Sequence, residues 1–422
     1  MLIFVLGLTL SARPSNHIPL YGNSTLGYYF VEAQVGSLKQ SQSLIVDTGS
    51  FSTVFVCEGC SVCNKHKDLT FNSKNSTTFQ KLEPSKPVNG WDCSQSTESK
   101  SNECTYEQSY LEGSTYSGFY ASDSFIFENE TFSSRILKNY THTFGCAMKE
   151  TNEFFRQEVN GIIGLGQRRD PKSNPPTIIE LAKSEGRIES RSFSICLGRN
   201  GGTLRLGAPL TDLHLPLAKS RTINVETLRW KDIYVASLSS IVLEGENVQY
   251  DFKQFESSPG KVFFDSGTTY TYFSDELFDS WKKSFSDFCK RAPKNCNGEN
   301  EYKNCYDVKQ DNGGLEKFLS TFPPAVFTFN GKVPYYWYPQ DYFSDTDVNV
   351  CIGIKPLKDL ILGANFMRNY DIFFEQETQR ITFARANCSR ESSITFKEEI
   401  QVAKEGIFGT LLILLTILIA VL

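Results

Sequence analysis

The chain has 422 residues, of which 40% are hydrophobic and 13% aromatic, and its formal net charge is -5 at pH 7. This length exceeds one average domain and the apolar content suffices for two cores, so two lobes are expected. The chain lacks the basic excess that neutralises phosphates, which argues against a nucleic-acid partner.

An apolar run opens the chain, from residue 2 to residue 10, and the small residues Ser11 and Ala12 follow it. A short apolar stretch before small residues is typical of a secretory signal peptide. We therefore assign residues 1–16, approximately, to a signal peptide.

Twelve cysteines, an even number, are spread along the chain. This distribution favours disulfides formed in an oxidising compartment over a set of cytosolic thiols. Five Asn-X-Ser/Thr sequons agree with a glycoprotein, at Asn23, Asn75, Asn129, Asn139 and Asn387. The folded part of the chain is expected on the lumenal or extracellular side, within the secretory pathway, an endomembrane or the cell surface.

Short apolar stretches separated by turn residues predict an all-β fold with a few short helices. The clearest predicted strands are residues 27–35, 43–46, 118–121, 261–264 and 379–384. Apolar residues recur at helical spacing only in a few places, notably residues 177–183 and 275–290.

Two lobes are expected, one over residues 17–210 and the other over residues 211–390. No linker rich in Gly or Ser joins them, which predicts firmly packed lobes. Within the first lobe, the polar stretch 64–102 is expected to be a surface insertion held by cysteines.

The chain closes on a 17-residue run without a charge, residues 406–422, after a polar stalk over residues 391–405. This length is at the lower limit for spanning a bilayer, and a run that is apolar on every face suits a transmembrane helix. Small residues upstream of a polar spacer also fit a removable GPI-attachment signal. Both kinds of membrane anchor remain open.

The decisive pattern is an approximate internal repeat. Leu44-Ile-Val-Asp47-Thr-Gly-Ser50 recurs as Val262-Phe-Phe-Asp265-Ser-Gly-Thr268, so each copy is an apolar strand that ends in an acidic turn. A single copy is equally typical of an ordinary turn, but two copies in equivalent contexts favour a functional pair. The residues that support the carboxylates are then Thr48, Gly49 and Ser50 in the first turn and Ser266, Gly267 and Thr268 in the second.

Two facing carboxylates, Asp47 and Asp265, can share one proton, because like charges about 3 Å apart do not both ionise readily. The ionised partner then takes a proton from water while the protonated partner donates to a peptide carbonyl. Rival hydrolytic motifs are missing from the sequence: none of the four histidines stands in a His-Glu-X-X-His arrangement, and no Gly-X-Ser-X-Gly elbow occurs.

These residues resemble the pepsin-like aspartic protease family, over roughly residues 18–387. Segments 160–166 and 359–363 are similar to the apolar supports of the two acidic loops. The resemblance implies a bilobal fold with the cleft between the lobes, aspartic endopeptidase activity on protein or peptide substrates, and no cofactor or metal. It also implies that Thr48 and Ser266 interlock the two loops, and that Ser50 and Thr268 orient the carboxylates.

The segment from Tyr110 to Ser114, with Gly113, is similar to the flap hairpin of that family, which places the tyrosine over the substrate. For a tyrosine alone, cross-strand packing in a hairpin is the simpler interpretation. One departure is that many members carry a tryptophan seven positions after the first aspartate, whereas this chain has Val54. The usual partner of the flap tyrosine is therefore missing.

Cys57, Cys60 and Cys63 resemble the cysteine-rich insertion of the nepenthesin and plasmepsin V branch. A Cys-X-X-Cys pair can also bind zinc, but zinc needs a second matched pair that the chain does not offer cleanly. The resemblance implies three pairs, namely Cys305 with Cys351 and Cys289 with Cys296 in the second lobe, and Cys196 with Cys388 across the lobes. The connectivity of Cys57, Cys60, Cys63, Cys93, Cys104 and Cys146 is left open.

The sequence thus predicts a monomeric, membrane-anchored processing protease. Few residues separate the predicted signal peptide from Ile18, which resembles the start of a mature first strand, so no long inhibitory prosegment is expected. The alternative function is a catalytically inactive pepsin-fold protein that binds peptides in its cleft.

Overall fold

A computed structural model gives the fold of residues 17–95, 103–110, 113–127, 140–168, 170–226, 233–252, 261–292, 296, 305–306, 308, 314–345 and 350–389. The predicted signal peptide, stalk and C-terminal apolar run lie outside these residues, as do the sequons at Asn129 and Asn139. Among the helices of the described ranges, none is both long and apolar enough to cross a membrane.

The described residues are mostly β, as predicted. The first half contains strands β1 (His17–Asn23), β2 (Tyr29–Val35), β3 (Gln40–Asp47), β4 (Val54–Val56), β5 (Gln80–Lys81), β6 (Thr105–Ser109), β7 (Thr115–Phe127), β8 (Tyr140–Glu150), β9 (Gly161–Gly164), β10 (Ser192–Leu197), β11 (Asn200–Leu206) and β12 (Arg221–Asn224). Its helices are α1 (Glu153–Arg156) and α2 (Ile178–Ser184), with short 3₁₀ turns at Ser73–Asn75, Cys93–Gln95 and Thr211–Leu213.

The second half continues the strand pattern. Its strands are β13 (Tyr234–Leu243), β14 (Glu246–Asn247), β15 (Lys261–Phe264), β16 (Thr271–Phe273), β17 (Cys305–Tyr306), β18 (Ala325–Phe329), β19 (Val333–Trp337), β20 (Phe343–Asp345), β21 (Val350–Ile352), β22 (Ile354–Pro356), β23 (Ile361–Leu362), β24 (Tyr370–Glu375) and β25 (Arg380–Arg385). Its helices are α3 (Asp275–Arg291), α4 (Gly314–Leu319), α5 (Pro339–Tyr342) and α6 (Ala364–Met367).

The two predicted helices form because their ends are capped and one face is apolar. Thr177 and Glu180 make a capping box at the start of α2, in which each side chain accepts a hydrogen bond from the other residue's backbone. Helix α3 buries Leu277 and Trp281 at helical spacing, and its last turn is basic, which suits the helix dipole.

The strand order repeats itself around the two acidic turns. Strand β3, which ends at Asp47, pairs in parallel with β9, and β15, which ends just before Asp265, pairs in parallel with β23. Next to them, β4 lies antiparallel to β9 and β16 lies antiparallel to β23. The sequence repeat is therefore also a repeat of structure, and it brings each aspartate to the end of a buried strand.

One large sheet joins the beginning and the end of the chain. In it, β24 pairs with both β10 and β25, and β11 pairs with β1. The residues that face inward along these strands are apolar, for example Phe193 and Phe374, whose rings stack 4.9 Å apart. This sheet also contains β3 and β9, which carry the first acidic turn, and it fixes the beginning of the chain against its end. Strands β15 and β23, which carry the second acidic turn, belong to a separate 8-stranded sheet.

All twelve cysteines form disulfides. The pairs in the second half are Cys196 with Cys388, Cys289 with Cys296, and Cys305 with Cys351, which are the pairs that the resemblance implies. The pairs in the first half, which the sequence left open, are Cys57 with Cys146, Cys60 with Cys63, and Cys93 with Cys104. The Cys-X-X-Cys motif is therefore a cystine, and within the described residues no His, Cys, Asp and Glu side chains are grouped so as to hold a metal ion.

The polar insertion is anchored at both ends. Cys57 ties its start to β8, and the Cys93–Cys104 disulfide closes its far end. Trp91, one of its few large apolar side chains, is 1% exposed and donates a hydrogen bond from Nε1 to the Lys172 carbonyl at 3.1 Å. Of the sequons on described residues, Asn75 and Asn387 are exposed and Asn23 is half-buried.

A buried histidine supports the first acidic turn from behind. His142, on β8, is 1% exposed, and its Nε2 lies 2.8 Å from the Thr53 hydroxyl, three residues beyond Ser50. The ring also contacts Phe125 edge-on, with centroids 5.1 Å apart. Because burial disfavours the imidazolium, the pKa of His142 falls to about 3.

This burial makes the fold sensitive to acid. As the pH falls below about 6.5, the unfolded chain gains a proton at His142, whereas the folded chain does not gain one until the pH nears 3. The free energy of unfolding therefore decreases by about 1.4 kcal/mol per pH unit from this group over that window.

We expect His142→Gln to flatten the pH dependence of the unfolding free energy between pH 6 and pH 4, because glutamine does not titrate. Urea denaturation at several pH values measures this slope. The control is Thr53→Val, which removes the hydrogen bond but keeps the imidazole and so should leave the slope unchanged. An unchanged slope in His142→Gln would contradict this account.

Candidate active site

The two acidic turns lie against each other through reciprocal hydrogen bonds. The Ser266 amide donates to Thr48 Oγ1 at 2.9 Å, and the Thr48 amide donates to Ser266 Oγ at 3.1 Å. Each hydroxyl then donates onward to the opposite strand, Thr48 Oγ1 to the Phe264 carbonyl at 2.9 Å and Ser266 Oγ to the Val46 carbonyl at 2.6 Å. These buried hydrogen bonds join residues 218 positions apart and hold the two aspartates beside each other.

Each carboxylate is oriented by its own turn. At Asp47, Oδ1 accepts from the Gly49 amide at 2.8 Å and Oδ2 accepts from the Ser50 hydroxyl. At Asp265, Oδ1 accepts from the Gly267 amide at 3.0 Å and Oδ2 accepts from Thr268 Oγ1 at 2.7 Å. The two halves of the site therefore use the same donors in the same positions.

Two glycines allow the carboxylates to approach. A Cβ added to Gly49 would lie 2.6 Å from Cγ of Asp265, and one added to Gly267 would lie 2.6 Å from Oδ1 of Asp47. Both distances are shorter than a carbon side chain tolerates, so no other residue fits without moving the opposite carboxylate. Each aspartate is thus packed against the glycine of the other turn.

The predicted apolar supports, residues 160–166 and 359–363, bind the backbones of the two acidic turns. The Leu165 amide donates to the Asp47 carbonyl at 2.7 Å, and the Asp265 amide donates to the Leu362 carbonyl at 3.1 Å. A Cβ on Gly363 would lie 2.1 Å from the Tyr270 carbonyl oxygen, which shows how closely the second support approaches its turn. The backbone of each turn is consequently fixed on both sides.

The two carboxylates differ in their surroundings. Asp47 is 4% exposed, whereas Asp265 is half-buried. Burial, followed by the nearby charge of Asp265, raises the pKa of Asp47 well above its usual range, against the opposing effect of the hydrogen bonds from Ser50 and Gly49. Two carboxylates this close disfavour double ionisation, because each negative charge opposes the other.

The predicted flap is a hairpin formed by β6 and β7. The Tyr110 amide donates to the Ser114 carbonyl at 2.9 Å, and the Gly113 amide donates to the Tyr110 carbonyl at 3.0 Å. Residues 111 and 112, between them, lie outside the described residues. The hairpin is tied to the start of α1, because Asn152 donates to the Gly113 carbonyl at 2.8 Å.

Sequence reasoning missed the aromatic partner of Tyr110. The ring of Phe154, in α1, lies edge-on to the Tyr110 ring with centroids 4.7 Å apart, and stacks on Tyr116 at 4.1 Å. Val54 is buried in β4 and pairs with β9. The aromatic partner of Tyr110 therefore comes from another part of the chain, and no local pattern marked it.

A second missed contact joins the first support to the C-terminal strands. The Tyr234 hydroxyl donates to the Leu165 carbonyl at 2.7 Å and accepts a hydrogen bond from Gln376 Nε2 at 2.8 Å. Tyr234 and Gln376 are far apart in sequence and lie in no recognisable motif. Tyr234 begins β13 in the 8-stranded sheet and Gln376 follows β24 in the 14-stranded sheet, so only tertiary packing brings the two side chains together.

The interlock between the turns is open to a direct test. In Thr48→Val the side chain keeps its shape but loses the oxygen, which leaves the buried Ser266 amide and Phe264 carbonyl without their partner. Each unsatisfied group costs about 1–3 kcal/mol, so we expect a clear loss of unfolding free energy in urea denaturation. Thr48→Ser retains the hydroxyl and is the matched control; equal stability of the valine and serine variants would contradict the interlock.

Two family models match most of the chain. The model described as xylanase inhibitor, N-terminal, matches residues 29–208, and the model described as xylanase inhibitor, C-terminal, matches residues 233–385. Their boundaries enclose one acidic turn each. The match therefore covers both halves of the site.

Several curated proteins are similar to this chain over most of its length. Plasmepsin V of Plasmodium falciparum (isolate 3D7) is 24% identical over 443 residues, which cover 87% of this chain and 73% of that protein. Aspartic protease 5 of Toxoplasma gondii is 27% identical, covering 87% of this chain and 37% of its own length. Aspartic proteinase nepenthesin-2 of Nepenthes gracilis is 24% identical, covering 88% of this chain and 80% of that protein. With the strand repeat and the paired acidic turns, these matches establish that the chain belongs to the family of pepsin-like aspartic proteases.

Proposed function

We propose that this protein is an aspartic endopeptidase whose catalytic pair is Asp47 and Asp265. The observation that supports this most strongly is the set of reciprocal hydrogen bonds between Thr48 and Ser266, which holds the two acidic turns face to face. A structural role alone does not require each carboxylate to accept the same pair of donors and to pack against the opposite glycine.

The chemistry follows from one shared proton. The ionised carboxylate of the pair accepts a proton from water as the water oxygen bonds to the peptide carbonyl carbon, and the protonated carboxyl donates its proton to the carbonyl oxygen. The resulting tetrahedral diol collapses when the carboxyl that took the water proton donates it to the leaving nitrogen, the C–N bond breaks, and the other carboxylate takes a proton from one diol hydroxyl. The pair is then left with one shared proton again. The products are a carboxylic acid and an amine, and no covalent enzyme intermediate forms.

The flap residues are assigned to substrate positioning within this proposal. Tyr110, with Gly113 and Ser114, covers the cleft, and its ring contacts Phe154 beside the tip of the hairpin. A flap that closes on substrate excludes water other than the attacking one, which strengthens electrostatic interactions within the site.

The surroundings suggest a lumenal or extracellular processing enzyme. Six disulfides among described residues need an oxidising compartment to form. We further propose a monomer with lobes over residues 17–210 and 211–390, after a signal peptide over residues 1–16. A stalk over residues 391–405 then leads to an anchor at residues 406–422, either a helix or a GPI signal, that attaches it to a membrane.

A second candidate function is a catalytically inactive member that binds peptides. The family models that match the chain carry the description of an inhibitor, which favours it. Against it, both aspartates and their four supporting hydroxyl side chains are in place, at Thr48, Ser50, Ser266 and Thr268. Loss of catalysis usually leaves a damaged acidic turn.

The test is peptide cleavage by the purified full chain against a diverse peptide pool between pH 4 and pH 7. We expect Asp265→Asn and Asp47→Asn each to lower cleavage by about 10²-fold or more, because each removes one partner of the acid–base pair. The matched control is Asp279→Asn, whose side chain is 73% exposed on α3 and which should keep full activity.

Cleavage that persists in both active-site variants would contradict the proposal. Retention of peptides without cleavage by the unaltered chain would instead support the inactive candidate. Mass spectrometry of the pool distinguishes the two results, because it detects both bound peptides and new termini.

A further inference from the structure

Four consecutive residues that follow β8, residues 151–154, contact the flap hairpin one after another, and we call them the latch. Their hydrogen bonds run from the Thr115 amide to Thr151 Oγ1 at 2.9 Å, from Asn152 Nδ2 to the Gly113 carbonyl at 2.8 Å, and from the Glu153 amide to Ser114 Oγ at 3.1 Å. The ring of Phe154 then packs edge-on against the ring of Tyr110. The position of the latch therefore determines where the flap lies.

The latch has a strained backbone at Asn152. Its φ is 51° and its ψ is -120°, a combination that residues with a side chain rarely adopt. Asn152 stands at the N-cap position of α1, yet its side chain makes no capping hydrogen bond and binds the Gly113 carbonyl instead. This side chain thus serves the flap and not the helix.

One side chain, that of His66, binds both ends of the segment that contains the latch. At the start of the segment, His66 Nε2 lies 2.9 Å from Oε1 of Glu150. At its end, His66 Nδ1 lies 3.0 Å from the carbonyl oxygen of Gln157, the C-cap residue of α1. A carbonyl oxygen only accepts, so Nδ1 donates there, and a second proton lies between Nε2 and the carboxylate. The imidazole therefore spans residues 150–157 with both of its nitrogens.

The pair formed by His66 and Glu150 is shielded from water, since the two side chains are 1% and 0% exposed. The carboxylate also accepts a hydrogen bond from the Asn64 amide at 2.7 Å, and Asn64 Nδ2 donates to the Phe155 carbonyl at 2.7 Å. A buried pair of this kind does not readily exchange its partners for water. These contacts consequently hold the segment in one position.

His66 belongs to the cysteine-rich insertion. The Cys60–Cys63 disulfide ends three residues before it, and within the loop that this disulfide closes, the Val62 carbonyl accepts from the Glu150 amide at 2.9 Å. The insertion thus runs beside the end of β8 before it reaches His66. Through the latch, it is connected to the flap.

We propose that His66 is a positioning residue for the flap. It fixes residues 150–157 from the cysteine-rich insertion, and the latch within them holds the flap in the position that receives substrate. The role in the reaction rests on the proposed function. When the flap is loosened, a smaller fraction of the molecules is ready to bind substrate, and the apparent affinity falls in proportion.

The test variant is His66→Gln, because glutamine has a single donating nitrogen and cannot bind both ends of the segment. The matched control is His214→Gln. His214 Nε2 lies 2.8 Å from Oδ2 of the buried Asp371, so this variant also deprives a buried carboxylate of a histidine, but on β24, near the other end of the 14-stranded sheet from β8. If His66→Gln does not fold, the double variant with Glu150→Gln replaces it, because it leaves no unpaired buried charge.

The first arm of the test needs no catalysis. In the Asp265→Asn full chain, amide hydrogen exchange is followed by mass spectrometry over residues 105–116, which include the flap, and over residues 325–337 as an internal reference. We expect His66→Gln to speed exchange in the flap segment about tenfold relative to the reference, and His214→Gln to leave this ratio unchanged. A loss of stability in the whole protein would speed exchange in both segments.

The second arm uses the active full chain and a peptide that it cleaves. We expect His66→Gln to raise KM about tenfold with a smaller change in kcat, because fewer molecules hold the flap ready for substrate. His214→Gln should keep the KM of the unaltered chain. A purely structural role of His66 would reduce the amount of active enzyme, which lowers the apparent kcat and leaves KM unaltered.

Faster exchange in the flap together with a raised KM supports the proposal. Unchanged exchange overturns it, and so does faster exchange with an unchanged KM, since the reaction would then not depend on a fixed flap. If the unaltered chain cleaves no peptide, the proposed function fails, whereas the exchange ratio still decides whether His66 holds the flap.

Discussion

The contact on which the site depends is the pair of hydrogen bonds exchanged by Thr48 and Ser266. Both residues are at most 2% exposed, so neither backbone amide can turn to water instead. The exchange fixes the relative position of two strand ends that come from different halves of the chain. This separation of the two strand ends brings the two carboxylates close together. It also requires glycine at positions 49 and 267.

Closeness and burial then determine the electrostatics. Two carboxylates in one buried place disfavour double ionisation, and the hydrogen bonds from Ser50 and Thr268 keep each group oriented whichever of them holds the proton. Burial also determines the charge of a group farther from the two carboxylates. His142 stays neutral because it is buried. Burial therefore decides the charge state of a group near the dyad as well as that of Asp47 within it.

The sequence predicted the features that are local. The strand at residues 261–264 agrees with β15, because an apolar run ended by an acidic turn is recognisable within a few residues. Helix α3 begins at the predicted residue 275 because Ser274 caps it. The paired acidic turns were visible since the chain carries the same pattern twice.

Contacts between distant parts of the chain were not predictable in the same way. Phe154 contacts Tyr110 only because α1, which follows β8, lies beside the tip of the hairpin. The Cys57–Cys146 disulfide spans 89 residues, and nothing in the spacing distinguishes it from other pairings.

The most direct measurement of the central claim, that two coupled carboxylates share one proton, is the pH dependence of kcat/KM. The account predicts a bell-shaped profile. The rate should rise as the pair loses its first proton, which creates the base, and fall as it loses the second, which removes the acid. A rate that rises through a single step and then stays constant at higher pH would contradict it.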